Sequence, residues 1–254
     1  MTDSIPAPSE PAAVSAASIR HFRYYDLVMA AFVAILLLSN IIGASKRSFV
    51  ELPWIGEWPF GAGVMFFPLS YIIGDILTEV YGYARARRVI WTGFAALAFM
   101  AFMAWVVVSL PPAPGWPHQA AYEAVFANSW RIVIASMFAF WAGEFANSLV
   151  VAKMKIADKD KAMGGRRMGL RFVASTVVGQ GLDSLIFYPI AFFGLEGWPT
   201  GELMKTVLSQ WAIKTGWEII LLPLTILIVV ALKRREGVDV FDEGTDFNPF
   251  GAKV

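Results

Sequence analysis

The chain has 254 residues, 57% of them hydrophobic and only 16% charged, with mean hydropathy +0.57 and net charge +1. A water-soluble domain holds about 45–50% apolar residues and about 25% charge, so this balance excludes that class and points to an integral membrane protein. Cysteine is absent, which excludes disulfides and thiolate metal sites, and the two histidines, His21 and His118, lie outside apolar stretches, which argues against histidine-based metal or triad chemistry.

Residues 1–19 are rich in Ala, Pro and Ser and read as a disordered tail, without the basic start of a signal peptide. A membrane-spanning helix needs about 20 mostly apolar residues. Six stretches meet that need: 24–43, 61–81, 88–110, 131–152, 170–194 and 206–232. They make one transmembrane domain over 20–235, followed by a polar, acidic tail over 236–254. The loop between the first two stretches, "SFVELPWIGEWPFGAG", reads as a short hairpin or an interfacial segment. The loop "KMKIADKDKAMGGRRMG" is a basic topology determinant, not a nucleic-acid site. The ten Trp residues suit a chain with two membrane–water interfaces. With the N-terminus inside, sixteen of the 21 Lys and Arg residues fall in inner segments and four (Lys46, Arg47, Arg131, Lys205) in outer ones. Lys214 lies inside the sixth stretch. The positive-inside rule then predicts that both termini are cytoplasmic.

Charge inside a membrane span is costly, about 2.5–3.5 kcal/mol per residue on insertion scales, and usually marks function. This chain carries Asp75 and Glu79 in span two, Glu144 in span four, Asp183 in span five, and Lys214 and Glu218 in span six. Residues three or four apart share a helix face. Span two aligns Tyr71, Asp75 and Glu79; span four aligns Trp141, Glu144, Asn147 and Ser148. Span five aligns Gln180, Asp183, Ser184 and Phe187; span six aligns Trp211, Lys214 and Glu218. Four polar faces, each beside an aromatic, suit a planar, hydrogen-bond-rich heterocycle.

Plainer readings stand beside this one. Glu79, at the inner end of its span, suits a topology-fixing ion pair with Arg85, Arg87 or Arg88 as well as it suits a ligand. Lys214 and Glu218 can neutralise each other at i,i+4. Asn147, Ser148, Ser184 and Thr176 suit helix–helix contacts, the Ser and Thr better than they suit binding, and Trp141, Phe187 and Trp211 taken singly suit packing. Asp75, Glu144 and Asp183 resist such accounts, because no basic residue lies within a turn on their own helix. Pro68, Pro189 and Pro223 fall inside spans and predict kinks.

"FFPLSYIIGDILTEVYGYARARRVIW" resembles the signature of the queuosine precursor transporters, also called the vitamin-uptake-transporter-like family. "WAGEFANSLVVAKMK", "STVVGQGLDSLIF" and "KTGWEIILLPLT" resemble its later blocks in the same order, and "DFNPF" in the tail is similar too. The resemblance implies an all-α, six-helix fold like that of the S components of energy-coupling-factor transporters. It implies an inner-membrane importer of 7-deazaguanine bases for tRNA modification, with no catalytic residue, cofactor or metal. Carried over by motif, the binding residues are Asp75, Glu79, Glu144, Asn147, Gln180, Asp183, Lys214 and Glu218. The expected partners are the base and the bilayer, a homodimer stays open, and no obligatory ATPase module is expected. The import mechanism is either proton coupling through Glu144, Asp183 or Glu218, or facilitated diffusion with metabolic trapping. Two alternatives remain. One is an S component, for which Ala30 and Ala34 would be the docking signal. The other is a Mg²⁺-dependent membrane enzyme, which Asp75-x-x-x-Glu79 resembles only superficially, since a second acidic motif is missing.

Overall fold

The computed structural model describes residues 22–43, 46–52, 56–127, 130–159, 165–194 and 200–251. The tail expected over 1–19 lies outside them. The described chain is a helical bundle: α1 (Tyr25–Ile42), α2 (Phe67–Tyr81), α3 (Tyr83–Val108), α4 (Gln119–Phe126), α5 (Trp130–Ala157), α6 (Gly165–Phe192) and α7 (Thr200–Glu236). One departure from an all-α fold is an antiparallel hairpin of β1 (Arg47–Leu52) and β2 (Gly56–Gly61), with Glu51 opposite Glu57 and Leu52 opposite Gly56. Of the two readings of that loop, the hairpin is the one realised. The short helix α4 has no counterpart among the expected elements.

Among the described residues, five runs are long and apolar enough to cross a membrane: Tyr25–Ile42, Ala62–Tyr81, Tyr83–Val108, Gln119–Ala157 and Leu203–Glu236. The sixth long helix, α6, has the length at 28 residues but is less apolar. Arg166, Arg167 and Arg171 occupy its first turns, and Gln180 and Asp183 lie further along. The outward faces of the long helices carry large apolar side chains, among them Leu27, Phe99, Leu185, Ile220 and Leu227. That inverted dress, with polar groups inside and apolar groups outside, is what a bilayer requires.

The buried central element is α2, which packs on α1, α3, α5 and α7. From Ser70 to Tyr83 every residue except Ile73 is buried. Pro68 sits at its first turn, where a missing N–H is harmless, so it starts the helix and does not kink it. Pro189 and Pro223 do lie within α6 and α7. Gly82 separates α2 from α3 with φ of 86°, a conformation that side chains other than glycine's rarely adopt. The helix resumes at once, so "YARARR" is helical and not an inner loop. Elsewhere α5 and α6 approach closely at Gly143 and Gly179. A Cβ at Gly179 would lie 2.9 Å from Asn147 Cβ and 3.0 Å from the Gly143 carbonyl oxygen.

One end of the bundle collects the start of α1, the α2–α3 junction, the end of α5, the start of α6 and the end of α7. We call it the basic end. The last α7 residue, Glu236, accepts from the backbone N–H groups of Arg23 (2.9 Å) and Tyr24 (2.8 Å) and from the Tyr81 hydroxyl (2.9 Å). It thus caps α1 with a carboxylate, a favourable charge at a helix N-terminus. The following segment, an unpartnered tail by sequence, folds back on this end. Asp242 Oδ1 accepts from the first N–H of α3, at Tyr83 (2.9 Å). Arg87 donates to the carbonyls of Asp246 and Asn248, both at 2.8 Å, and Trp91 Nε1 to that of Pro249 at 2.8 Å. Residues 237–251 therefore form a strap over this end, and its "DFNPF" part crosses α3 with Phe250 against Trp91 and Trp141.

Candidate functional site

Four helices meet at a buried polar centre. From α2 come Tyr71 and Asp75, from α5 Glu144 and Asn147, from α6 Ser175, Thr176, Gln180 and Asp183, and from α7 Lys214 and Glu218; all are buried. The helical spacing read from the sequence is what turns these residues inward together. Asn147 Nδ2 donates to Asp75 Oδ1 at 2.7 Å, and Ser175 Oγ donates to the same oxygen at 3.1 Å. Gln180 Nε2 donates to Glu218 Oε1 at 2.6 Å, and Thr176 donates to Glu218 Oε2. Lys214 pairs with Asp183, and its ammonium stands 4.6 Å from the Phe67 ring centre. So Lys214 and Glu218 do not neutralise each other along their own helix. Each finds a partner on α6 instead.

Glu144 differs from the other three acids. It has no exposed surface, and among the described residues neither carboxyl oxygen accepts a hydrogen bond. Burying a charged group without donors costs several kcal/mol. Its Oε2 rests against the α2 backbone, where a Cβ at Gly74 would lie only 2.6 Å away. The Tyr71 hydroxyl, Asn147 Oδ1, Gln180 Oε1 and Ser184 Oγ are also buried without partners among the described residues. The open space here is small. A cleft lined by Asp75, Thr176, Glu218, Ile72, Phe172 and Leu222 has room for about one water. The centre is thus closed around its own side chains.

Not every expected residue reaches this centre. Trp141 belongs to an aromatic cluster with Trp91, Phe145 and Phe250, at ring distances of 6.2, 5.4 and 5.8 Å, between α3, α5 and the strap. Phe187 meets Tyr188 and Phe192 edge-on towards the far end of α6. Trp211 is half-buried and donates to the Val177 carbonyl at 3.0 Å, along the outer α6–α7 seam. The aromatics beside the polar groups are Tyr71 and Phe67. Sequence reasoning aligned Tyr71 with Asp75 but did not select it, and gave Phe67 no role. Ser175 and Thr176, the latter read as helix glue, in fact complete the carboxylate bonds.

Glu79 belongs to a second cluster, at the basic end. It is fully buried and meets Arg171 at 2.9 Å, Lys233 at 2.7 Å and Lys155 at 3.9 Å. These cations come from α6, α7 and α5. The pairing expected with Arg85, Arg87 or Arg88 is thereby corrected. Arg87 holds the strap, Arg85 lies 4.4 Å over the Phe22 ring, and Arg88 is exposed. From the strap, Asp239 joins Lys155 (2.7 Å) and Lys233 (2.8 Å), and Lys155 also donates to the carbonyls of Glu79 and Val240. Partial burial alone would lift the Asp239 carboxyl, but the two ammonium groups outweigh it and hold its pKa below the ordinary carboxylate value.

A multi-pass helical bundle with apolar outer faces and a closed polar centre is the architecture of an integral membrane protein. The comparisons with known proteins agree. The family profile described as "Putative vitamin uptake transporter" matches residues 61–228, more than half of the chain. The chain is 30% identical over 162 residues to the "Probable queuosine precursor transporter" of Bacillus subtilis (strain 168), covering 63% of this chain and 68% of that protein. No solved structure matches significantly. The chain belongs to the vitamin uptake transporter family, a family of transporters and not of enzymes.

Proposed function

We propose that this protein imports 7-deazaguanine bases, the precursors of queuosine, across the bacterial cytoplasmic membrane. 7-Cyano-7-deazaguanine and 7-aminomethyl-7-deazaguanine are the substrates in this reading. It takes the queuosine-precursor substrate from the relative's name and the chemistry from the centre. The observation that carries it is the convergence of four carboxyls and one ammonium from four helices, with buried acceptors left unpartnered. A heterocycle rich in N–H groups can pair with such acceptors, and Tyr71 and Phe67 offer rings to lie against it.

The transport cycle is alternating access around this centre, in a six-span bundle similar to the S components. The basic end faces the cytoplasm, in keeping with the distribution of Lys and Arg and with the contact between the start of α1 and the end of α7. Opening inward then requires Glu79 to part from Arg171 and Lys233, and the strap residue Asp239 to move with α5 or α7. Opening outward requires the far ends of α6 and α7 to separate above Lys214.

Two measurements test this. A thermal-shift screen of the purified chain should show stabilisation by either deazaguanine base and little by guanine-unrelated vitamins; stabilisation by a vitamin alone would replace the substrate. Reconstituted alone in proteoliposomes, the chain should take up the base without ATP or an added ATPase. Concentrative uptake that survives collapse of the proton gradient would remove proton coupling from the scheme.

A further inference from the structure

We propose that Glu144 is the specificity-determining residue of the centre and reads two adjacent N–H donors on one edge of the base, the ring N1–H and the 2-amino group. This rests on the deazaguanine reading above. The other three acids are already engaged by protein donors: Asp75 by Asn147 and Ser175, Glu218 by Thr176 and Gln180, and Asp183 by Lys214. Among the described residues, Glu144 is the one acid of the centre that keeps both oxygens free while having no exposed surface. A carboxylate offers two parallel acceptors in one plane, and its geometric complement is a pair of neighbouring N–H groups on a planar edge.

The rest of the centre points the same way. Asn147 and Gln180 each spend their amide N–H on a carboxylate, which orients their carbonyl oxygens as further free acceptors. The pocket thus asks for donors. The glycine at 74 leaves Glu144 the space it occupies beside α2, where any side chain would press on Oε2. A hypoxanthine-type edge keeps N1–H but lacks the amino group. An adenine-type edge presents an acceptor at N1. Both leave a Glu144 oxygen buried and unpaired, and a site built to bond a group discriminates strongly against the analogue that lacks it.

The test compares two ligands that differ only in the 2-amino group, 7-cyano-7-deazaguanine and its 2-deamino analogue, in competition binding to the purified full-length protein. The wild type should prefer the amino form about tenfold or more. Glu144→Gln should bring the two within about threefold by weakening the amino form, with the 2-deamino form changed much less. Glu144→Asp, which keeps the charge on a shorter arm, should retain part of the preference and serves if the first variant does not fold. A wild type that binds both ligands equally overturns the inference and leaves the substrate class intact, as does a preference unchanged in either variant. A wild type that binds neither base overturns the substrate reading and the inference with it.

Discussion

Asp75 and Glu79 lie one turn apart on α2, both buried, yet they belong to two differently built polar regions. At the basic end the carboxylate is surrounded by cations: Arg171, Lys233 and Lys155 for Glu79, with Asp239 bridging two of them. At the centre four carboxyls share the single ammonium of Lys214, and neutral hydroxyls and amides serve two of the others. A buried charge with its partners in place holds helices together. A buried charge without them is held in place by the helices, and is available to something else. The two regions therefore divide the work: the basic end fixes four helices and the strap, and the centre keeps unspent hydrogen-bonding capacity.

The largest effect that separates them is expected from Glu79→Gln. It leaves the buried Arg171 and Lys155 and the partly buried Lys233 beside a neutral amide, and breaking a buried pair by removing one partner costs about 3–5 kcal/mol. Thermal unfolding in detergent should show that loss. A change below about 1 kcal/mol would erase the distinction between the regions. Next comes Gly179→Val, which tests the centre by its packing. The added side chain meets Asn147 and the Gly143 carbonyl at the close α5–α6 approach. Overpacking of this kind costs about 1–3 kcal/mol, and here it also displaces the amide that holds Asp75. The expected result is a moderate stability loss with a disproportionate loss of ligand binding.

Asp239→Asn should have a smaller effect, about 1 kcal/mol or less, because the side chain is a third exposed and its ion pairs are screened. Its pH dependence is the sharper readout. The folded-state pKa is depressed, so the stabilisation is complete above the unfolded value of about 3.9 and is lost as pH falls through the lower folded-state value. The variant should lose less stability than the wild type over that acidic range. Equal acid sensitivity in the two proteins would take Asp239 out of the basic-end cluster.

These contrasts also mark what the sequence could and could not disclose. The long helices were legible because apolar runs of membrane length have few other uses. The inward polar faces were legible because i,i+4 spacing is local. The partners of Glu79 were not. Arg171 is 92 residues away and Lys233 154, while Arg85, Arg87 and Arg88 stand next in line. Spacing shows which face a residue is on, not what another helix brings to it. Trp141 shows the same limit at finer scale. It lies three positions from Glu144, yet that rotation suffices to turn it towards Trp91 of α3 while Glu144 turns to α2. The start of α3 at Tyr83 was hidden because its first turns are basic, although Ala and Arg are good helix formers. The strap had only the likeness of "DFNPF" as a signal, since carbonyls accepting from Arg87 and Trp91 leave no trace in side-chain pattern.

The smallest stability effect is expected where the ligand effect is greatest, at Glu144. Replacing Glu79 with Gln removes a charge that three cations require. Replacing Glu144 with Gln removes a carboxyl group that no donor among the described residues meets. The first substitution leaves buried ammonium and guanidinium groups behind, and the second leaves nothing unpaired that was paired before. The melting temperature of Glu144→Gln in the absence of ligand should therefore equal that of the wild type or exceed it. The two residues are the same acid, with the same complete burial, on neighbouring helices. If Glu144→Gln instead destabilised the protein by several kcal/mol, as Glu79→Gln should, Glu144 would have a structural partner in the folded bundle. The division between a region that binds helices and a region that awaits a ligand would then fail at its most buried point.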